Sequence, residues 1–270
     1  MKRKACFNMR NPFLSYVITC FFILNFFFLS SCGLDVYYVM PSPVDYQVYQ
    51  HQAQYSNTDF AENYFLFNTY ESDFDNEGGL QFQGTEVYYK IYSNSSTMLS
   101  QVEALQSLAS NDSSSTTAIN RMTTTYSFQP LKALSYSENT LIPYTGTNRS
   151  IKIRLTDYLD MDDFSSKIII YKEIVPENDN ENLEEKIEKI LQPVRNVSER
   201  STFNFGRTGV SDKVPKSEDE DVNYTSMSDG NKWYVAMFSV AVGMDILLTP
   251  YYSNILYLGS VTIDADSKDN

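Results

Sequence analysis

From residue 61 onward the chain alternates short aromatic and β-branched runs with polar breaks. Seven runs stand out: 64–70 (YFLFNTY), 85–92 (TEVYYKIY), 151–155 (IKIRL), 167–174 (KIIIYKEI), 202–205, 233–242 (WYVAMFSVAV) and 255–263 (ILYLGSVTI). Tyr, Phe, Val, Ile and Thr fit a pleated, half-buried surface. Period two shows at Ile151, Ile153 and Leu155, set against Lys152 and Arg154. In 233–242, Tyr234, Ala236, Phe238 and Val240 share the bulkier face, so Phe238 is expected in the core and Ser239 on a solvated face. Turn residues separate the runs at Asn76-Glu77-Gly78-Gly79, Thr145-Gly146-Thr147-Asn148 and Ser228-Asp229-Gly230-Asn231. The pattern predicts a mainly β fold: an antiparallel β-sandwich with one or two short inserted helices.

The two helices are read from 3.6-residue spacing. Met98, Val102, Leu105 and Leu108 predict one over 98–109. Asn182 as cap, Glu185 at the third position and Leu183, Ile187, Ile190 and Leu191 on one face predict a second over 182–191, stopped by Pro193. Residues 110–127 and 208–231, the latter containing the acidic stretch 216–221 (KSEDED), read as loops too polar to pack.

The amino end has a different pattern. Lys2, Arg3, Lys4 and Arg10 precede an apolar run over 13–29 that exits through Leu29-Ser30-Ser31-Cys32-Gly33. A basic start, an apolar stretch and small exit residues describe a secretory signal over 1–31. Leu29, Ser30 and Ser31 before Cys32 resemble the lipobox of bacterial lipoproteins. The resemblance implies signal-peptidase recognition at Leu29, Ser30 and Ser31. It also implies a diacylglycerol thioether on Cys32 and an acylated, palmitate-bearing amine once Cys32 has become residue one. Two or more acyl chains are what stable anchoring requires. Gly33, in place of the Asp that retains some lipoproteins at the inner membrane, favours the outer membrane, on its periplasmic or surface-exposed face.

Composition sharpens this picture. The only cysteines are Cys6, Cys20 and Cys32, so the 239 residues from Cys32 onward can form no internal disulfide. The domain must be held by a packed core, with 21 Tyr and 17 Phe to build it. Without the four basic residues of the signal, 17 basic residues face 34 acidic ones, a net charge of −17. That charge excludes nucleic acid as a partner and opposes adhesion to anionic lipid, so the acyl group has to hold the chain at the membrane. Residues 32–60, with Pro41 and Pro43 and many polar residues, read as a tether. A single β-rich domain over 61–265 and a tail over 266–270 follow.

The carboxyl-terminal runs Trp233 to Gly243 and Ile255 to Gly259 resemble the last two strands of a fibronectin type III-like domain, and 85–92 is similar to that family's third strand. About 140 residues separate Tyr92 from Trp233, where the family has a few tens, and its early tryptophan is missing, Trp233 being the only one. The resemblance implies binding or scaffolding rather than chemistry.

Candidate chemistry is sparse. His51, the one histidine, falls in the tether and reads as solvated; alone, it builds neither a multi-histidine zinc centre nor a rigid triad. Neither a Walker A nor a GxGxxG pattern is present. Asp73, Asp75, Glu77 and Gly78 resemble the start of a calcium loop that fails at position twelve, Gly84, so an acidic turn and no metal are expected. Asp160, Asp162 and Asp163 read as a polar loop. Asn-x-Ser/Thr triplets at Asn94, Asn111, Asn148, Asn196 and Asn223 are incidental in a bacterial chain. The expected function is that of a non-catalytic, membrane-anchored lipoprotein presenting a β-rich surface to an envelope protein or polymer, with no cofactor besides the lipid on Cys32. The alternative is a carbohydrate-active or other hydrolytic exoprotein, which needs two carboxyls about 5–9.5 Å apart in an aromatic-lined cleft.

Overall fold

The longest apolar runs become the longest strands, and they pair with each other. In the computed structural model, which describes residues 40–45, 51–72, 74, 79–111, 115–156, 165–172, 186–197, 205, 215–230 and 232–264, β3 (Leu80–Tyr92) and β12 (Lys232–Asp245) run antiparallel through twelve paired positions. On the outer edge of β12 lie β13 (Pro250–Tyr252) and β14 (Leu256–Asp264). The outer edge of β3 is filled piecewise by β4 (Gln129–Pro130), β6 (Ile142–Pro143) and, in parallel, β11 (Val222–Asn223). A second, antiparallel sheet has the order β1 (Val44–Asp45), β2 (Phe65–Asn68), β7 (Ser150–Arg154), β8 (Lys167–Tyr171) and β9 (Ile187–Leu191). A short ladder joins β5 (Lys132–Ala133) to β10 (Pro193–Val194).

The two sheets form the β-sandwich that the pattern predicts. Its inner core joins Phe65, Phe67, Ile151 and Ile153 of one sheet to Val87, Tyr89, Val235 and Met237 of the other. The larger sheet is also covered on its far face. There α1 (Ser95–Asn111), α2 (Ser115–Asn120) and a π-helical turn (Arg121–Thr125) pack Met98, Val102, Leu105 and Met122 on Tyr92, Tyr234 and Phe238. Neither face of β12 is therefore solvated. Phe238 is buried as expected, but Ser239, assigned to solvent, is fully buried too. A run such as WYVAMFSVAV, apolar at both alternations, is the signature of a strand covered on two sides.

The first helix begins three residues before the spacing implied, because two side chains cap it. Asn94 Oδ1 accepts the Thr97 N–H at 2.9 Å, and Asp229 Oδ2 accepts the Ser95 N–H at 2.9 Å. The bonds from the Ser95 N–H and hydroxyl hold the Asp229 carboxyl below the usual carboxylate range.

Four expectations are corrected. The helix over 182–191 is not formed where it can be seen: Ile187–Leu191 is a strand on the edge of β8, while 182–185 lie outside the described residues. The open edge of a buried strand outweighs local helix propensity, and Glu188 and Lys189 suit an exposed edge. The loop over 110–127 holds α2 and the π turn, because Ala118, Ile119 and Met122 supply one narrow apolar face.

The tether over 32–60 is built into the fold from Met40 onward, apart from 46–50, which are not described. Ala53 is buried and bridges Gly259, and the Ser260 N–H donates to Ala53 O at 2.9 Å. Gly259 has φ +107°, and any Cβ there would collide with the Ala53 backbone, so only glycine admits this strap. Met40 likewise fills the space that a side chain on Gly243 would take. His51 is no solvated residue, since its ring stacks on Tyr64 at 3.8 Å and bonds Tyr64 O at 2.8 Å, with Glu62 3.1 Å from its other nitrogen.

The two-sided burial of β12 is testable. Phe238→Ala should cost about 3–5 kcal/mol in urea melts. Ser239→Thr should now cost about 1–3 kcal/mol through overpacking. Ser239→Ala should cost almost nothing, because the Ser239 hydroxyl has no hydrogen-bond partner. A harmless Ser239→Thr would mean that this face is open.

Candidate functional site

The residues expected to form a lipobox, Leu29, Ser30 and Ser31, and the expected lipid site Cys32 lie outside the described residues, as do Asp73, Asp75, Glu77, Asp160, Asp162 and Asp163. Gly84, position twelve of the incomplete calcium loop, sits within β3. Among the described residues no group of three or more His, Cys, Asp and Glu is arranged to hold a metal ion.

The carboxylates that do converge are those of the supposed acidic loop, a further correction. Asp219 and Asp221 are buried, and both close on Arg195, itself 1 % exposed. Arg195 Nε donates to Asp221 Oδ2 at 2.8 Å, and its terminal nitrogen donates to Asp219 Oδ2 at 2.8 Å and to Asp221 Oδ1. The Tyr89 hydroxyl donates to Asp221 Oδ2 at 2.6 Å and accepts the Asn196 N–H at 2.7 Å. The backbone of Asp221 accepts the Ile91 N–H at 3.0 Å, which leads the chain into β11. Burial works against the Arg195 charge, but Asp221 and Asp219 hold its pKa above the ordinary value. Burial and the Asp221 charge push the Tyr89 phenol well above its usual value.

A second cluster stands at the opposite end of β3. Arg149 donates to Glu71 Oε1 at 2.7 Å and to Pro143 O. Glu71, fully buried, uses its other oxygen to accept the N–H groups of Thr145 at 2.8 Å and Gly146 at 3.2 Å. Both clusters pair a buried guanidinium with buried carboxylates, and both are closed to solvent. Each clamps segments that are distant in sequence. A surface depression of about 800 Å³ beside α1 and α2 is lined by Leu108, Thr117, Asn120, Arg121, Thr124 and Thr125, with no carboxylate among them.

The sequence did not disclose these clusters, because Glu71 and Arg149 are 78 positions apart and Tyr89 and Asp221 are 132 apart. One signal was available: Arg195 follows the apolar pair Pro193-Val194 and stands two residues before Val197, an odd place for a solvated charge. The other overlooked feature is at the surface. Ile246, Leu247 and Leu248, in the turn between β12 and β13, are 80 %, 79 % and 75 % exposed. Among the described residues no helix is long and apolar enough to cross a membrane. No family model matches the chain, and neither a curated protein nor a solved structure matches it.

Two outcomes follow for the buried charges and phenols. Asp221→Ala should destabilise the domain by about 3–5 kcal/mol, because buried Arg195 is left with Asp219 alone and the Tyr89 hydroxyl loses its acceptor. Glu218→Ala, exposed in the same loop, should stay within about 0.5 kcal/mol. Burial also raises the phenols of Tyr92, Tyr252 and Tyr257, and burial with the Asp229 bond takes Tyr234 up to about 12. Unfolded tyrosine titrates near 10, so this stability is complete below about pH 10 and lost as pH rises beyond it. Lys90, lowered by burial, works in the opposite sense but is a single group. Urea midpoints should fall from pH 9 to 11, with tyrosinate absorbance appearing together with unfolding; flat midpoints would contradict this.

Proposed function

We propose that the chain is a bacterial lipoprotein, anchored through acyl chains on Cys32, that presents its β-rich domain to an envelope protein or polymer without catalysing a reaction. The observation that carries this reading is Leu29-Ser30-Ser31-Cys32 at the exit of an apolar run with a basic start. Two others support it. Cys32 is the last cysteine in the chain, so no disulfide competes for its thiol. The strap begins at Met40, only eight residues later, so the link between the modified residue and the domain is short. Gly33 favours the outer membrane.

The order β3–β12–β14 supports the fibronectin III-like reading of this part, since strands C, F and G stand side by side in immunoglobulin-type sandwiches. The saturation of Glu71, Asp219 and Asp221 by buried arginines and backbone donors favours a binding role over the hydrolytic alternative.

Cells expressing the protein should incorporate labelled palmitate into it. Cys32→Ala should abolish incorporation and leave a precursor larger by the signal segment. A wild type that takes up no palmitate, or a mutant that still does, would overturn the proposal.

A further inference from the structure

The three exposed aliphatics between β12 and β13 belong to a well-formed turn. Asp245 Oδ1 accepts the N–H groups of Leu247 and Thr249, both at 2.8 Å. The Leu248 N–H donates to Asp245 O at 3.0 Å, and the Asp245 N–H to Thr249 O at 3.1 Å. Leu248 adopts φ +63°, a left-handed conformation in which glycine or asparagine would be less strained. A rigid turn thus holds Ile246, Leu247 and Leu248 outward, where the fold makes no use of them.

Its position says what it faces. The strap reaches the domain at Met40, which packs on Gly243, three residues before Ile246. It then passes to Ala53 beside Gly259, farther down β12. At a strand rise of about 3.3 Å per residue, the tip lies within about 10–17 Å of the point where the strap arrives. Cys32 is eight residues before Met40, a span of at most about 28 Å. The carboxyl-terminal end of β14 pairs with Lys232 at the other end of β12, and the Arg195 cluster closes on Ile91 in that half as well.

We propose that the aliphatic tip 246–248 inserts into the lipid surface that holds Cys32, so that the domain docks on the membrane at a second point. The proposal rests on the lipoprotein reading. Asp245 closes the turn and is the charged side chain nearest the tip in sequence. The contact is therefore apolar, and zwitterionic lipid suits it better than anionic lipid.

The test uses the full lipidated chain in phosphatidylcholine vesicles, with Leu247→Cys or Ser217→Cys carrying an environment-sensitive fluorophore and nitroxide lipids as quencher. The mature chain has no other free thiol once Cys32 is acylated. Quenching at position 247 should exceed that at exposed position 217 by about threefold or more, and Ile246→Ser with Leu248→Ser should abolish the difference. Equal quenching at both positions in protein whose mass shows the lipid on Cys32 would overturn the docking alone. Cross-linking of two copies through position 247 would overturn it too, because a second chain would then cover the tip. A mass without lipid would remove the lipoprotein reading and the docking with it.

Discussion

Everything else in the domain is arranged around one ladder, the twelve-position pairing of β3 with β12. Because both strands are apolar at successive positions, the ladder is stable only if both of its faces are covered. The second sheet covers one and the helices after β3 cover the other. The departures from a simple sandwich follow from that demand. The segment between β3 and β4 has to cross the outer face, so a stretch rich in Ser and Thr becomes helical there. The outer edge of β3 also needs partners, and three separate two-residue strands supply them.

The elements that could be read in the sequence are those whose own residues decide their state. The runs at 85–92, 151–155, 233–242 and 255–263 are strands, the first extended back to Leu80, and the Met98 to Leu108 spacing is a helix. The elements that could not be read are decided by their neighbours. Ile187 to Leu191 has helical spacing yet completes an open edge, and Val222-Asn223 is a strand only because β3 offers backbone groups beside it. Polarity misled in the same way at 216–221. Asp219 and Asp221 are polar residues with a buried guanidinium waiting for them, and a count of charges cannot tell such residues from solvated ones. The proposed lipobox at Leu29-Ser30-Ser31-Cys32 is the opposite case, a pattern that is wholly local in sequence.

The buried charges cross-link the domain where no disulfide can. Beyond Cys32 the chain has no cysteine to cross-link it. Arg149 with Glu71, and Arg195 with Asp219 and Asp221, instead join segments from different sheets and loops through oriented bonds. Such clamps contribute specificity of arrangement more than net stability, because desolvation offsets much of the attraction. They also differ from disulfides in being insensitive to redox conditions.

The strap that runs from Met40 past Ala53 also has a bearing on time. It is among the first parts of the domain to be synthesised, yet it docks against Gly243 and Gly259, and Tyr55 and its partner Thr262 are 207 positions apart. The central ladder is nearly as non-local. Closing loops of that length before any contact rewards them puts the domain among slow folders. The early segments have no seat until the last hairpin has emerged, so the fold closes only once the chain as far as β14 is present.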